Sequence, residues 1–113
     1  MGNVNSGKLA ELVAAQYLQD RGYRILDQNW KTRYCEIDIV AKKDDVIIFV
    51  EVKYRLSSVA GDGFAYITSK KISKMQLGAE SWVEKNRWDG EYCLGAIELA
   101  GPDCSVTHFL DAL

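Results

Sequence analysis

The stretch EIDIVAKKDDVIIFVEVKYR, residues 36–55, decides the fold. Two apolar runs flank the polar segment Lys42-Lys43-Asp44-Asp45, the pattern of a β-hairpin with strands over Glu36 to Ala41 and Val46 to Tyr54. The run VIIFVEV is apolar on both faces, so its strand belongs at the centre of a sheet covered by helices. Yet the same hairpin carries Asp38, Glu51 and Lys53. Buried charge is costly unless it is paired, neutralised or bound to a metal ion.

Side chains alternate along a strand, so Ile47, Phe49, Glu51, Lys53 and Arg55 share one face. A symmetric four-residue turn pairs Ala41 with Val46. It sets Asp38 opposite Phe49 and Glu36 opposite Glu51. Asp38 and Glu51 then become diagonal neighbours, their Cα atoms roughly 7 Å apart. Two carboxylates at that spacing can hold one divalent ion, and oxygen ligands suit Mg²⁺ or Mn²⁺ rather than zinc. Lys53, two residues on, is in reach of a metal-bound water.

Outward from the hairpin the chain divides without linker or repeat. Leu9 to Arg21 reads as a helix, with Leu9, Ala10, Val13, Ala14, Tyr17 and Leu18 at helical spacing and Gly22 at the C-cap. Its Glu11 lies on the side of Ala14, Ala15 and Leu18, which faces the sheet. Tyr23 to Lys31 reads as a strand with Tyr23, Ile25 and Leu26 turned to the core. Leu56 to Ile67, with Gly61, Asp62 and Gly63, reads as a mobile loop. Thr68 caps a second helix to about Lys85, with Ile72, Met75, Ala79, Trp82 and Val83 as the buried stripe. Tyr92 to Ala100 and Cys104 to Leu110 form a final strand pair across Gly101-Pro102-Asp103. The expected fold is α/β in the order α-β-β-β-α-β-β.

The 113 residues make one domain, 48% hydrophobic with a single proline, which excludes a disordered chain. Cys35, Cys93 and Cys104 are far apart and odd in number, which argues against a disulfide framework or a zinc site and for a reduced, cytoplasmic setting. No signal-peptide core or membrane-spanning run is present, so no membrane role is expected. The net charge of −2 conceals a split. Residues 1–79 carry 12 Lys and Arg against 9 Asp and Glu, and residues 80–113 carry 2 against 7. A basic site can coexist with an acidic far end.

An acidic residue followed by E-x-K on the next strand, here Asp38 and then Glu51-Val52-Lys53, resembles the PD-(D/E)XK nuclease superfamily. The blocks AELVAAQYLQDRGYRILDQNW, EIDIVA and IFVEVKYR resemble, more specifically, the YraN family of predicted endonucleases. The likeness covers roughly residues 7–100. It implies a restriction endonuclease-like core, Mg²⁺ or Mn²⁺ as cofactor and DNA as partner, with branched or otherwise structured DNA in repair or recombination as the expected substrate. Carried over, Asp38, Glu51 and the Val52 carbonyl are the implied metal ligands, joined by Glu11 as in resolvase-like members. Lys53 is the residue that orients the attacking water. Cys35 stands where the family usually has glycine.

Each residue also has a plainer reading. Glu51 and Lys53 fit a cross-strand salt bridge, and Glu36 a solvent-facing charge. Lys70, Lys71 and Lys74 fit a solvated helix face. They also sit in the first turns of a helix, where cations oppose the macrodipole and phosphate contact explains their presence. Lys31, Arg33 and Arg55 extend the same basic surface. Trp82 and Trp88 fit packing, and His108 a structural role. Two function classes follow: a Mg²⁺-dependent endonuclease, or a catalytically silent nucleic-acid-binding or scaffold protein on the same fold. The segment from Tyr92 to Leu110 offers an edge strand for a homodimer, a common working form in the superfamily.

Overall fold

A computed structural model describes residues 6–56 and 64–113. The expected element order is the observed one: α1 (Ser6–Asp20), β1 (Arg24–Lys31), β2 (Glu36–Lys43), β3 (Val46–Arg55), α2 (Ser69–Asn86), β4 (Glu91–Ala100) and β5 (Ser105–Leu110). The strands form one five-stranded sheet in the order β1-β2-β3-β4-β5. Only the β3–β4 pair is parallel, and α2 is its crossover connection. The apolar run of β3 therefore lies at the sheet's centre, as its two-faced hydrophobicity requires.

The two helices cover opposite faces. Ala10, Ala14, Ala15 and Leu18 of α1 pack on Ile39, Ala41, Ile48, Val50, Ile97 and Leu99. Met75, Ala79 and Trp82 of α2 pack on Ile37, Val40, Ile47, Phe49 and Leu94. Phe49 meets Trp82 and Tyr92 edge-on, with ring centroids 5.7 and 5.6 Å away. Trp82 is a packing group, as its place in the predicted stripe implies. α1 starts three residues before the predicted Leu9 and closes in a Schellman motif. Gly22 takes φ +92°, its N–H reaches Gln19 O, and Tyr23 N–H reaches Leu18 O, each at 3.0 Å. Thr68 caps α2 as predicted, its hydroxyl oxygen accepting the Lys71 N–H at 3.1 Å. Of the predicted loop Leu56 to Ile67, residues 57–63 lie outside the described residues.

The hairpin register differs from the expected one. Lys43, not Ala41, pairs with Val46, and Val40, not Asp38, lies opposite Phe49. The turn contains only Asp44 and Asp45, because Asp44 adopts a left-handed φ of 52°. A short acidic side chain tolerates that conformation, and a tight turn follows the strand twist better than a four-residue loop. The slip is two residues, so the side chains inside the paired ladder, residues 39–43 and 46–50, keep their predicted faces. Strand β1 has a bulge between Ile25 and Asp27. Ile25 packs toward α1 and its neighbour Leu26 toward α2, so both reach a core.

Gly95, on β4, is pressed between two neighbours. A Cβ added there would lie 2.6 Å from Ile48 Cδ1 and 2.7 Å from the Leu110 carbonyl oxygen. The backbone oxygen cannot swing aside. Gly95→Ala is expected to destabilise the fold by about 1–3 kcal/mol, through overpacking. Denaturant melts of the two proteins check this, and an unchanged midpoint would contradict it.

Candidate active site

Asp38 marks the place where β2 and β3 part. Their ladder runs from Lys43↔Val46 to Ile39↔Val50. Continued at that register, it would set Ile37 against Val52. Instead the Val52 N–H donates to Asp38 Oδ2 at 2.7 Å, and a carboxylate takes the place of a backbone carbonyl. Ile37 and Val40, three residues apart, both pack toward α2, which strict alternation forbids. The chain turns over between them, at Asp38. Across on β1, Asn29 stands between the paired residues Gln28 and Trp30 and holds a left-handed φ of 54°.

The observed register sets Asp38 at the level of Glu51 on β3. The predicted diagonal arrangement is replaced by one in which the two residues occupy the next rung beyond the last pair. Burial pushes the Asp38 carboxyl up to about 7 from an ordinary 3.8. The Val52 N–H opposes that rise, and the charges of Glu51, Glu11 and Glu36 add to it. Glu11, Glu36 and Glu51 are thus all near enough for their charge to be felt at Asp38. Glu36 itself is exposed, and Glu11 is half-buried on α1. Glu11 also lines a cleft of about 300 Å³ with Lys8, Leu12, Gln28 and Asn29.

Positive groups surround the cluster. Lys71 Nζ lies 3.2 Å from Glu51 Oε2, so this lysine points at the site rather than belonging to a solvated helix face. Lys70 and Lys74 are exposed on the same opening turns of α2. Lys31 and Arg33 are exposed at the turn end of the β1–β2 hairpin, where Lys31 pairs with Glu36. Lys53 is half-buried with its Nζ 5.5 Å from the Tyr66 ring centroid. It makes no predicted salt bridge to Glu51, whose partner is Lys71. The Arg55 guanidinium lies 5.6 Å from the same Tyr66 ring centroid, and its Nε–H donates to Glu98. Its charge is thus tied to a buried carboxylate.

Cys35 borders this site without entering it. Its thiol sits at the β1–β2 turn, packed on the core beneath α2. Thr32 holds the turn, its hydroxyl oxygen accepting the Tyr34 and Cys35 N–H groups at 3.1 Å. Burial keeps the thiol's pKa raised, with Lys71 opposing and Glu51 and Asp38 reinforcing. It is an un-ionised packing group.

One constellation escapes sequence reasoning. Glu98 on β4 is 2% exposed and binds Arg55, Thr107 and His108. Beside it the Tyr66 hydroxyl is buried without a hydrogen-bond partner. Its pKa is raised by burial and by the charges of Glu51 and Glu98. The signal available in sequence was the lone Glu98 inside the apolar strand LGAIELA.

Whether these residues suit a divalent ion can be tested on charge. Four carboxylates act on one half-buried spot, and Lys71 is the cation seen in contact with them. The Asp38 carboxyl is raised chiefly by burial, and the neighbouring negative charges add to it. An all-oxygen set that gains from an added dication is the chemistry of Mg²⁺ or Mn²⁺. Among the described residues no three acidic, histidine or cysteine side chains form a ready cage. Mg²⁺ commonly takes one or two carboxylates and keeps several waters, so the pair Asp38 and Glu51 suits it.

Among the described residues, no helix is long and apolar enough to cross a membrane. A protein of Syntrophomonas wolfei is 46% identical over 113 residues, covering 97% of this chain and 98% of its own length. One from Sulfurihydrogenibium sp. is 42% identical over 91 residues, covering 80% of this chain and 79% of its own. One from Syntrophus aciditrophicus is 37% identical over 113 residues, covering 97% and 89%. All three are described as UPF0102 proteins. The model of the uncharacterised protein family UPF0102 matches residues 10–99, and the chain belongs to that family.

Proposed function

We propose that this protein is a metal-dependent endonuclease of the PD-(D/E)XK type, as the YraN resemblance implies, hydrolysing phosphodiester bonds in structured or branched DNA. The observation that carries the reading is the junction at Asp38. There a carboxylate caps the parting strands through the Val52 N–H, beside Glu51 and next to Lys53. Asp38, Glu51 and the Val52 carbonyl would hold Mg²⁺ or Mn²⁺, with Glu11 approaching from α1. When bound, the ion supplies Lewis-acid polarisation of the phosphate and a more acidic water.

The chain's own residues do the remaining work. Lys53 stands two residues beyond Glu51 on the same strand, with its Nζ 5.5 Å from the Tyr66 ring centroid, and from there it would orient the attacking water and meet charge developing on the phosphate. Lys71 leaves Glu51 for a phosphate oxygen, exchanging one anion for another. Lys70, Lys74, Lys31 and Arg33 line the approach and draw in the polyanion.

A second reading has one observation in its favour. Glu51 already has a counter-ion in Lys71, 3.2 Å away, as a binding protein with no need of metal would arrange it. Cleavage separates the two. Wild type and Lys53→Ala are incubated with branched, flapped, single-stranded and plain duplex DNA in Mg²⁺ and in Mn²⁺. Wild type is expected to cleave only with metal, and Lys53→Ala to be slower by about 100-fold or more. Folded wild type that binds DNA in a salt-sensitive way and cleaves none of these substrates would replace the nuclease with the binding module.

A further inference from the structure

The Glu98 cluster is built by a break in strand alternation. Glu98 pairs with His108 and Leu99 pairs with Val106, so Thr107 is the extra residue of a β-bulge. A regular strand would send Thr107 and His108 to opposite faces. The bulge turns both to Glu98 Oε1, Thr107 Oγ1 at 3.2 Å and His108 Nδ1 at 2.9 Å. The other carboxylate oxygen takes the Arg55 Nε–H.

Burial opposes charge on Glu98, but the hydrogen bonds from Arg55, His108 and Thr107 outweigh it and its pKa is lowered. An ionised carboxylate can only accept, so Nδ1 of His108 carries the proton shared with it. That leaves Nε2 as the ring's second polar atom. The imidazole is 49% exposed although its anchor is almost wholly buried. Phe64 steadies it edge-on, with centroids 5.8 Å apart.

The position of the ring carries the inference. Lys53 pairs with Glu98 across β3 and β4, and Glu98 with His108 across β4 and β5. Paired residues face one way, so Lys53, Glu98 and His108 form a row on the sheet face that bears Glu51. Two strand spacings, about 9.6 Å, separate the Lys53 and His108 backbones. A chain of phosphates with one phosphodiester at Lys53 would lay a neighbouring one near the imidazole.

We propose that His108 contacts a backbone phosphate flanking the scissile phosphodiester through its Nε2–H, with Glu98 as its positioning residue. The inference rests on the nucleic-acid substrate of the preceding section. A merely structural His108 would tie down β5 and leave phosphate binding untouched.

Affinity of the full chain for a branched DNA is measured against salt at pH about 6, where imidazoles generally carry a proton. EDTA is present to prevent cleavage. His108→Gln is expected to reduce the steepness of log affinity against log salt by about 0.9, the loss of one phosphate contact. His108→Lys is expected to restore it. An equal slope in His108→Gln and wild type overturns this proposal alone. Wild type that binds no nucleic acid overturns it together with the nuclease reading. His108 is the sole histidine, so its imidazole resonances are assigned without mutation. Should the variants fail to fold, those resonances in wild type are expected to shift on adding the DNA, and unmoved resonances overturn the proposal.

Discussion

Asp38→Asn is expected to raise the stability of the metal-free protein at pH 8 and to abolish its response to Mg²⁺. The Asp38 carboxyl is pushed up to about 7 by burial and by its acidic neighbours, from 3.8. The folded state thus holds the proton more tightly than the unfolded state. Stability is full below about pH 4, falls as pH rises toward 7, and stays low above it. The loss is on the order of 2–4 kcal/mol, after screening by solvent at this half-buried group. Asparagine keeps an oxygen for the Val52 N–H and removes the charge. The variant should therefore melt roughly 10 °C higher at pH 8 and converge with wild type at pH 4. Mg²⁺ should stabilise wild type by mass action and leave the variant unmoved, and cleavage should fall at least about 10³-fold. Melting curves at the two pH values, with and without Mg²⁺, check the whole set. A variant that melts lower at pH 8, or that gains as much from Mg²⁺ as wild type, would sink the metal-site reading. The sign of the effect matters: a carboxylate whose charge weakens the metal-free fold is one that a bound cation would relieve.

Much of this was legible in the sequence, for physical reasons that can be named. VIIFVEV had to be central because both its faces are apolar, and β3 is the middle strand. Gly22 and Thr68 mark helix ends by backbone conformation and capping chemistry, and both do so here. The hairpin register was not legible, because Lys42-Lys43-Asp44-Asp45 suits a four-residue turn as well as a two-residue one. The choice fell to Asp44 in the left-handed region. The error was even, so Glu51 and Lys53 kept their common side, and Asp38, beyond the last pair, is held at the site by the Val52 N–H. The role of Lys71 was hidden by its resemblance to any lysine on a solvated helix. Its pairing with Glu51 depends on how closely α2 docks, which no local pattern records. Glu98, and its pairing with the His108 read as structural, were missed for a stricter reason. Period-two reading assumes regular alternation, and the bulge at Thr107 breaks it at the one place where the two residues meet.

Glu98→Ala is expected to be the most damaging single change among the buried polar residues, costing about 3–5 kcal/mol. The side chain is 2% exposed and three donors converge on it. Its removal leaves the Arg55 charge without its carboxylate in a site only 24% exposed, and strips Thr107 and His108 of their shared acceptor. The denaturation midpoint should drop while the slope of the transition holds, since the folded surface is unchanged. A double-mutant cycle with Arg55→Met isolates the pair and cancels Arg55's other contacts, its ring contact with Tyr66 included. A coupling of about 2 kcal/mol or more is expected, and a coupling near zero would mean that Glu98 serves the bulge alone. The damage should reach the chemistry as well. Arg55 and Lys53 both lie over Tyr66, at 5.6 and 5.5 Å, and Glu98 fixes Arg55. With Glu98 gone, one of the contacts that place Arg55 beside that ring is lost, and the placement of Lys53 on the same ring is expected to loosen with it. Catalysis depends on such placement to within a fraction of an ångström. Cleavage by folded Glu98→Ala should therefore fall further than its DNA affinity.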